Sequence, residues 1–293
     1  MSSSYTAAYA MMLNPTTLNF NDSHVMAIIN LTPDSFYSTS RHASCDEVRA
    51  SVERAVSEGA TIVDLGGYSS RPGAEEVSVE EEWRRVEMGL RAVRDAAVSV
   101  VVSIDTFRSE IVRRAYEGYG AFVVNDISAG EADPTMVGVV ASLGLPYVAM
   151  HMRGTPVTMQ SLTEYERGVT QGVVDYFRER VKVLEDAGIA HENIILDPGF
   201  GFAKSVEQNF VLLGGLDELR ALGYPLLIGV SRKSMIYRPL DITAQESLPG
   251  SLALAWEALR GGDAIVRVHD VAATKQVVAL AKYYKRVCYD KSR

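Results

Sequence analysis

The sequence predicts an α/β protein built as a single (β/α)8 TIM barrel, and three observations carry that reading. First, eight short apolar, β-branched runs recur along the chain, each nearly continuous in apolar character, as strands buried on both faces of a parallel sheet are. Second, the segments between them open with helix-start signals, a hydroxyl residue three positions before Glu or Gln. Third, glycines stand where a helix must turn back into the next strand through a left-handed residue. A doubly wound open sheet is compatible with the same alternation. Eight units without a break in composition favour the closed barrel.

In chain order, strand 1 is Val25–Leu31, and Ser44 with Glu47 opens the following helix, which ends at Gly59. Strand 2 is Thr61–Leu65, followed by a helix opened by Ser78 and Glu81. Strands 3 and 4 are Val98–Ile104 and Ala121–Val124. Asp133-Pro134 then reads as an N-cap with proline at the first helical position, and Gly144 closes that helix. Strand 5, Pro146–Met150, leads to a helix opened by Thr163 and Glu166 and closed by Gly188. Strand 6, Asn193–Leu196, leads to one opened by Ser205 and Gln208 and closed by Gly223. Strand 7, Pro225–Val230, the Thr243–Glu246 pair and strand 8, Ala264–Val268, complete the set. Residues 1–23 stand outside the pattern and are expected to cap the N-terminal end of a barrel spanning 24–288, with a tail at 289–293.

Composition narrows function. The 293 residues are 47% hydrophobic and 23% charged, with 29 basic against 37 acidic residues, a formal balance of −8. A binder of nucleic acid or of anionic membranes needs a basic face, so neither is expected. No apolar run reaches the ~18 residues that span a bilayer. The first Lys or Arg is Arg41, so Ala7–Leu13 lacks the basic region of a secretory signal. Cys45 and Cys288 lie far apart and form neither a disulfide scaffold nor a Cys-ligated metal site. The expectation is a cytoplasmic protein acting on small molecules.

Active sites of such barrels sit at the C-terminal ends of the strands. Those ends carry Asn30, the Gly66-Gly67 turn leading to Ser70-Arg71-Pro72, Asp105, Asn125, His151, Asp197, Ser231-Arg232-Lys233 and Arg267-Val268-His269. Asp105 and Asp197 could form a glycosidase pair, but such carboxylates need no cluster of cations. Arg71, Lys233, Arg267 and His269 point instead to a phosphate-bearing substrate. Asn30 could bind a hard ion such as Mg²⁺ through its amide oxygen, with substrate phosphates completing the shell. HExxH, GxSxG, P-loop and GxGxxG motifs are all absent. His151 reads best as a hydrogen-bonded core histidine, and Lys204 as a residue outside the catalytic set.

In these motifs the chain resembles the dihydropteroate synthase family. The run from Ile28 to Phe36, INLTPDSF after the first Ile, is similar to the family's first motif, and the run from Asp64 to Ala74, DLGGYSSRPGA, to its second. Ser103-Ile104-Asp105-Thr106, Asn125-Asp126-Ile127, Met150-His151, Leu196 to Lys204, Gly229 to Ser234 and Arg267 to Val271 follow in order, one per strand end. The resemblance implies condensation of 6-hydroxymethyl-7,8-dihydropterin pyrophosphate with 4-aminobenzoate to 7,8-dihydropteroate by a dissociative displacement, with Mg²⁺, in a homodimeric, sulfonamide-sensitive enzyme.

Carried over by position, the resemblance implies that Asp105, Asn125, Asp197, Lys233 and Arg267 hold the pterin, with Met150, Phe202 and Gly229 lining its slot. It implies that Asn30, Arg71, Arg267 and His269 handle the pyrophosphate, Asn30 through the metal. Phe36, Ser70, Arg71, Pro72, Lys233 and Ser234 would form the 4-aminobenzoate site. Asp105, Lys233, Arg267 and His269 would be the catalytic set. A pterin-binding methyltransferase barrel is one competing reading, which would not need the arginine loop and the Arg267-Val268-His269 set; a silent pterin-binding relative is the other, which would not need the retained Asn30, Asp105, Lys233 and Arg267. The chain departs from the family pattern at Tyr37-Ser38-Thr39-Ser40, at Tyr68, where an acid is usual, at Ser70, and at Tyr237-Arg238-Pro239.

Overall fold

The computed structural model describes residue 15 and residues 18–32, 45–68, 77–154 and 158–289. Eight strands form one sheet in the order β6-β5-β4-β3-β2-β1-β8-β7. They are β1 (His24–Asn30), β2 (Ile62–Gly66), β3 (Val101–Asp105), β4 (Val123–Asp126), β5 (Tyr147–Met150), β6 (Ile194–Asp197), β7 (Leu227–Ile228) and β8 (Ile265–Val268). Every pairing is parallel. The ring closes between β6 and β7 by a single parallel bridge, Leu196 to Leu226, supported by the Leu196 N–H donating to the Pro225 carbonyl at 2.9 Å. This is the predicted barrel.

Around the sheet lie α1 (Cys45–Ser57), α2 (Val79–Asp95), α3 (Ser109–Tyr119), α4 (Met136–Leu143), α5 (Val169–Asp186), α6 (Val206–Gly214), α7 (Leu216–Arg220), α8 (Ser234–Leu240), α9 (Leu248–Arg260) and α10 (Val271–Tyr289). Among the described residues, no helix is long and apolar enough to cross a membrane. Ser78 caps α2 by accepting from the Glu81 N–H, and Ser205 with Gln208 forms the full reciprocal box of α6. Gly144 closes α4 at φ 63°, a conformation any Cβ would strain.

Three start signals are corrected. Thr163–Glu166 caps nothing: α5 begins at Val169 after a turn through Gly168 at φ 82°, and the Thr163 carbonyl instead accepts from Gln208 Nε2 at 2.6 Å. Thr243 and Glu246 do exchange the expected bonds, but within a turn that precedes α9. Asp133-Pro134 also forms a turn, and α4 begins at Met136. There Asp133 accepts from the Thr135 N–H at 2.9 Å and, across the loop, from the first N–H of α3, Ser109, at 2.8 Å. Ser44 lies outside the described residues.

The period of two decides what each strand side chain meets. One residue from each strand (Met26, Ile62, Val101, Val123, Val148, Ile195, Leu227 and Ile265) points into the barrel and packs with Phe20 and Leu18 into an apolar floor. Their odd-parity neighbours, Val63, Leu65, Val102, Ile104, Val124 and Ala149 among them, face outward into the layer shared with the helices. Two residues above the floor the inward parity changes chemistry. Asp64, Ser103, Asn125, Asp197 and Arg267 follow the floor residues of their strands, and Asn30, Gly66 and Asp105 stand at the rim. Trp83 and Trp256 pack against the core.

Candidate active site

Arg267 stands at the centre of the mouth. Its Nε donates to Asp64 Oδ2 at 2.7 Å and its Nη2 to Asp105 Oδ2 at 2.9 Å. Asn125 Nδ2 donates to the same Asp64 oxygen at 3.1 Å. The strands place these groups together because their registers align: Asp64 pairs with Ser103, Gly66 with Asp105, and Asp105 with Asn125. Burial works against the Arg267 charge, but Asp64 and Asp105 outweigh it and raise its pKa. Burial pushes Asp105 up to about 7, opposed by Arg267 and reinforced by the carboxylates of Asp64, Glu82 and Asp126. Asn30 sits across Gly66 from Asp105: a Cβ there would lie 3.8 Å from Asn30 Oδ1 and 3.9 Å from Asp105 Oδ2.

A second group converges from the β6 and β7 ends. Asp197 Oδ1 accepts from the Gly199 N–H at 2.8 Å, and burial raises its pKa against the pull of Lys233. Gly199 is required by close approach, since a Cβ would fall 2.0 Å from the His151 carbonyl oxygen. Lys233 donates to the Phe200 carbonyl, and its Nζ lies 4.9 Å from the centre of the Phe202 ring, a cation–π distance. Gly201 and Gly229 leave room for it: Cβ atoms there would lie 3.5 Å and 3.8 Å from its side chain. Burial pushes the Lys233 ammonium down to about 8, with Asp197 resisting. Met150 is buried and pairs in register with Asp197.

Beneath this group, Lys204 is 4% exposed and donates to the carbonyls of Gly199 at 3.0 Å and Phe202 at 2.9 Å. Its Nζ also meets His151 Nδ1 at 3.0 Å. Burial, then the Lys204 charge, holds His151 well below its usual range, and burial pushes Lys204 down to about 7. His151 is therefore a buried, hydrogen-bonded core histidine, as its sequence reads. Lys204 fixes the loop that carries Phe202, a role that its place in a polar loop does not advertise. Asp126, next to Asn125, is purely structural: it accepts from Ser128, Gly130 and the Tyr147 hydroxyl.

The β7 and β8 ends are tied together. His269 Nδ1 lies 3.0 Å from Ser231 Oγ, which also accepts from the His269 N–H at 3.2 Å. Arg232 grips Asp270 through Nε at 2.8 Å and Nη2 at 2.6 Å. Arg232 has φ 55°, a strained backbone for a residue with a Cβ, and its N–H is held by Ser251 Oγ at 3.0 Å. Ser234 opens α8. Phe36, Ser70, Arg71 and Pro72 lie outside the described residues, as does the 37–40 departure.

A family model described as "Pterin binding enzyme" matches residues 26–269. The dihydropteroate synthase of Escherichia coli (strain K12) is 42% identical over 267 residues, 91% of this chain and 93% of its own. The chain belongs to the dihydropteroate synthase family. Solved members overlie the fold. The Yersinia pestis dihydropteroate synthase in complex with a sulfonamide drug reaches a TM-score of 0.85 at 36% identity, covering 92% of this chain and 96% of its own. The Xanthomonas albilineans dihydropteroate synthase in complex with 7,8-dihydropteroate reaches 0.80 at 35% identity, covering 92% and 95%.

As a dihydropteroate synthase family member, the chain is a transferase of folate biosynthesis. Its Tyr68 packs edge-on to Phe107 at 5.2 Å, with the Arg108 guanidinium 5.8 Å from its ring. Arg108 also pairs with the buried Glu82 at 2.7 Å and donates to the Val77 carbonyl at 2.7 Å. Arg85 donates to the Gly67 carbonyl at 3.0 Å. An aromatic and a cation thus anchor both stems of the second loop. The Tyr237-Arg238-Pro239 departure forms the last turn of α8, which Asp241 ends at φ 52°.

Among the described residues, no group of three or more His, Cys, Asp or Glu is arranged to hold a metal ion. The donor set suits only an ion whose shell the substrate largely completes, with Asn30 as the neutral oxygen donor at the rim.

Proposed function

We propose that this mouth joins 6-hydroxymethyl-7,8-dihydropterin pyrophosphate to 4-aminobenzoate, giving 7,8-dihydropteroate and pyrophosphate. The observation that carries the reading is the coexistence, in one barrel mouth, of acceptors for a donor edge (Asp197 and Asn125) and cations for a phosphate-bearing substrate (Arg267 and Lys233). The pterin's amino-pyrimidinone edge donates to Asp197 and to the Asn125 carbonyl. Lys233 donates to the ring oxygen and N5, its stem packed on the ring. Met150, Phe202 and Gly229 line the slot.

The bond from the methylene carbon to the pyrophosphate oxygen breaks with its electron pair going to oxygen, so positive charge spreads into the dihydropterin. Asp105 stabilises that charge, and Arg267 and His269 the leaving group. The neutral arylamine nitrogen then forms the new C–N bond and releases its proton to solvent, which requires no strong base. Asn30 would hold Mg²⁺, which when bound supplies positive charge to the pyrophosphate oxygens. Phe36, Ser70, Arg71 and Pro72, with Lys233 and Ser234, complete the 4-aminobenzoate side, and Arg71 adds to the phosphate side.

Two expected results arise here. The kcat/KM profile should be bell-shaped, with its maximum between about pH 7 and 8. Below about 7 Asp105 takes up a proton and loses the charge that faces the pterin; above about 8 Lys233 loses its proton. Asp105→Asn should remove the acidic limb from the residual activity. Asn30→Ala should raise the Mg²⁺ concentration for half-maximal rate by about tenfold or more, and an unchanged titration would refute the ligand role.

We place the enzyme in the cytoplasm and as a homodimer paired through outer helices away from the mouth. Exposed Leu280, Tyr283 and Val287 of α10 and Phe210 and Val211 of α6 offer apolar surface for pairing, and light scattering tests it. The deciding assay of function is pyrophosphate release from the pterin substrate with Mg²⁺, with and without 4-aminobenzoate. Release coupled to dihydropteroate formation supports the proposal. Pterin binding without release would move the chain to a silent or methyl-transferring relative.

A further inference from the structure

Asp64 lies in the middle of β2, two residues below the rim, and the reaction just described gives it no task. It is fully buried, on a strand otherwise made of Ile, Val, Leu and Gly. One of its oxygens accepts from both Arg267 and Asn125; among the described residues the other has no hydrogen-bond partner. A carboxylate so placed costs stability, so packing is a poor reason for it.

We propose that Asp64 is a positioning residue that fixes which way the Asn125 amide points, and thereby makes the pocket read a hydrogen-bond-donating ligand edge. The argument rests on the pterin reading above. The two ends of an amide are nearly identical in shape and opposite in hydrogen-bonding sense, so sterics alone cannot orient it. Asp64 Oδ2 stands 3.1 Å from Asn125 Nδ2. Turning the amide over would bring two oxygens together at that distance, one of them on a carboxylate, between side chains that are both buried and so weakly screened. The N–H end is therefore committed to Asp64, and the carbonyl oxygen is what Asn125 offers to a ligand. The same Asp64 oxygen holds Arg267 Nε at 2.7 Å while Asp105 holds Nη2, so the guanidinium plane is fixed from two sides. One buried oxygen thus sets both the acceptor that reads the pterin and the cation that faces the leaving group.

The test is a double-substitution cycle read by calorimetric titration with 6-hydroxymethylpterin, with thermal melts of every protein. Asn125→Asp alone sets two carboxylates against each other and should weaken binding by about tenfold or more. Asp64→Asn should weaken binding in the parent by several-fold. In the Asn125→Asp background it should strengthen binding by about tenfold, because relief of the two facing carboxylates outweighs loss of the acceptor that position 64 offers Arg267 Nε, and the carboxylate at 125 still accepts the ligand. The expected result is this reversal of sign. If Asp64→Asn acts in the same direction in both backgrounds, Asp64 does not orient Asn125 and the proposal falls. Should Asn125→Asp fail to melt cooperatively, recovery of the melt in the double variant is the same reversal read on stability, and its failure overturns the proposal equally. An unmutated protein that does not bind 6-hydroxymethylpterin at all overturns the pterin reading itself, and this inference with it.

Discussion

Lys233→Ala should lower kcat/KM by about 10²–10³-fold, the scale on which single charge-stabilising donors act, while the protein still unfolds in one cooperative step near the parent temperature. The two halves of that expectation come from the same geometry. Lys233 follows the end of β7, and its Nζ reaches the Phe200 carbonyl and the Phe202 ring over the mouth, clear of the apolar floor. Removing it leaves one carbonyl that water entering the mouth can satisfy, a cost of about 1 kcal/mol. Chemistry loses more. Asp197 loses the cation that most favours its charge, and on the proposed reading the pterin ring would lose both a donor and the stem that packs on it. Circular dichroism melts and steady-state rates measured together decide the matter, and loss of cooperative unfolding would show Lys233 to be structural.

Arg267→Ala should fail in both respects. Arg267 is gripped between Asp64, which is fully buried, and Asp105, and its removal strands two carboxylates in a poorly solvated mouth. Breaking such a pair from one side costs about 3–5 kcal/mol, or roughly 10 °C in melting temperature for a chain of this size. Turnover should fall below detection, because the leaving group loses its main fixed cation. Adding Asp105→Asn to Arg267→Ala should recover part of the stability and none of the activity. A melt of Arg267→Ala within 2–3 °C of the parent, about 1 kcal/mol, would mean that the two carboxylates do not depend on this guanidinium.

The contrast between these residues also explains what could be read from the sequence. Strand positions were legible because buried parallel strands are continuous apolar runs, and the eight floor residues that the strands supply all fall within the predicted strands. Strand-end residues such as Asp105, Asn125 and Asp197 were legible because a TIM barrel places its chemistry at that edge. Asp64 belongs to the second motif, but a residue inside a strand does not announce a role in the mouth. The available signal was a lone acid in Ile62-Val63-Asp64-Leu65, on the inward parity set by Ile62, which called for a buried cation that Arg267 could supply. Lys204 looked like loop decoration because its partners are mostly backbone carbonyls, which sequence does not index. Thr163–Glu166 misled because a hydroxyl–acid spacing is equally at home in an extended loop, and the Gly168 turn decides where α5 starts.

The linkage of Ser231 to His269 and of Arg232 to Asp270 bears on how this enzyme can change over generations. Arg232 holds an unfavourable backbone angle with Asp270 gripping its side chain and Ser251 its N–H, and Lys233 is the next residue along. A substitution at 270 would therefore be felt at 233 without touching it, and one at 231 would be felt at 269. Changes at these positions are therefore expected in matched pairs, which an exchange of Arg232 and Asp270 together, set against either alone, would test by activity.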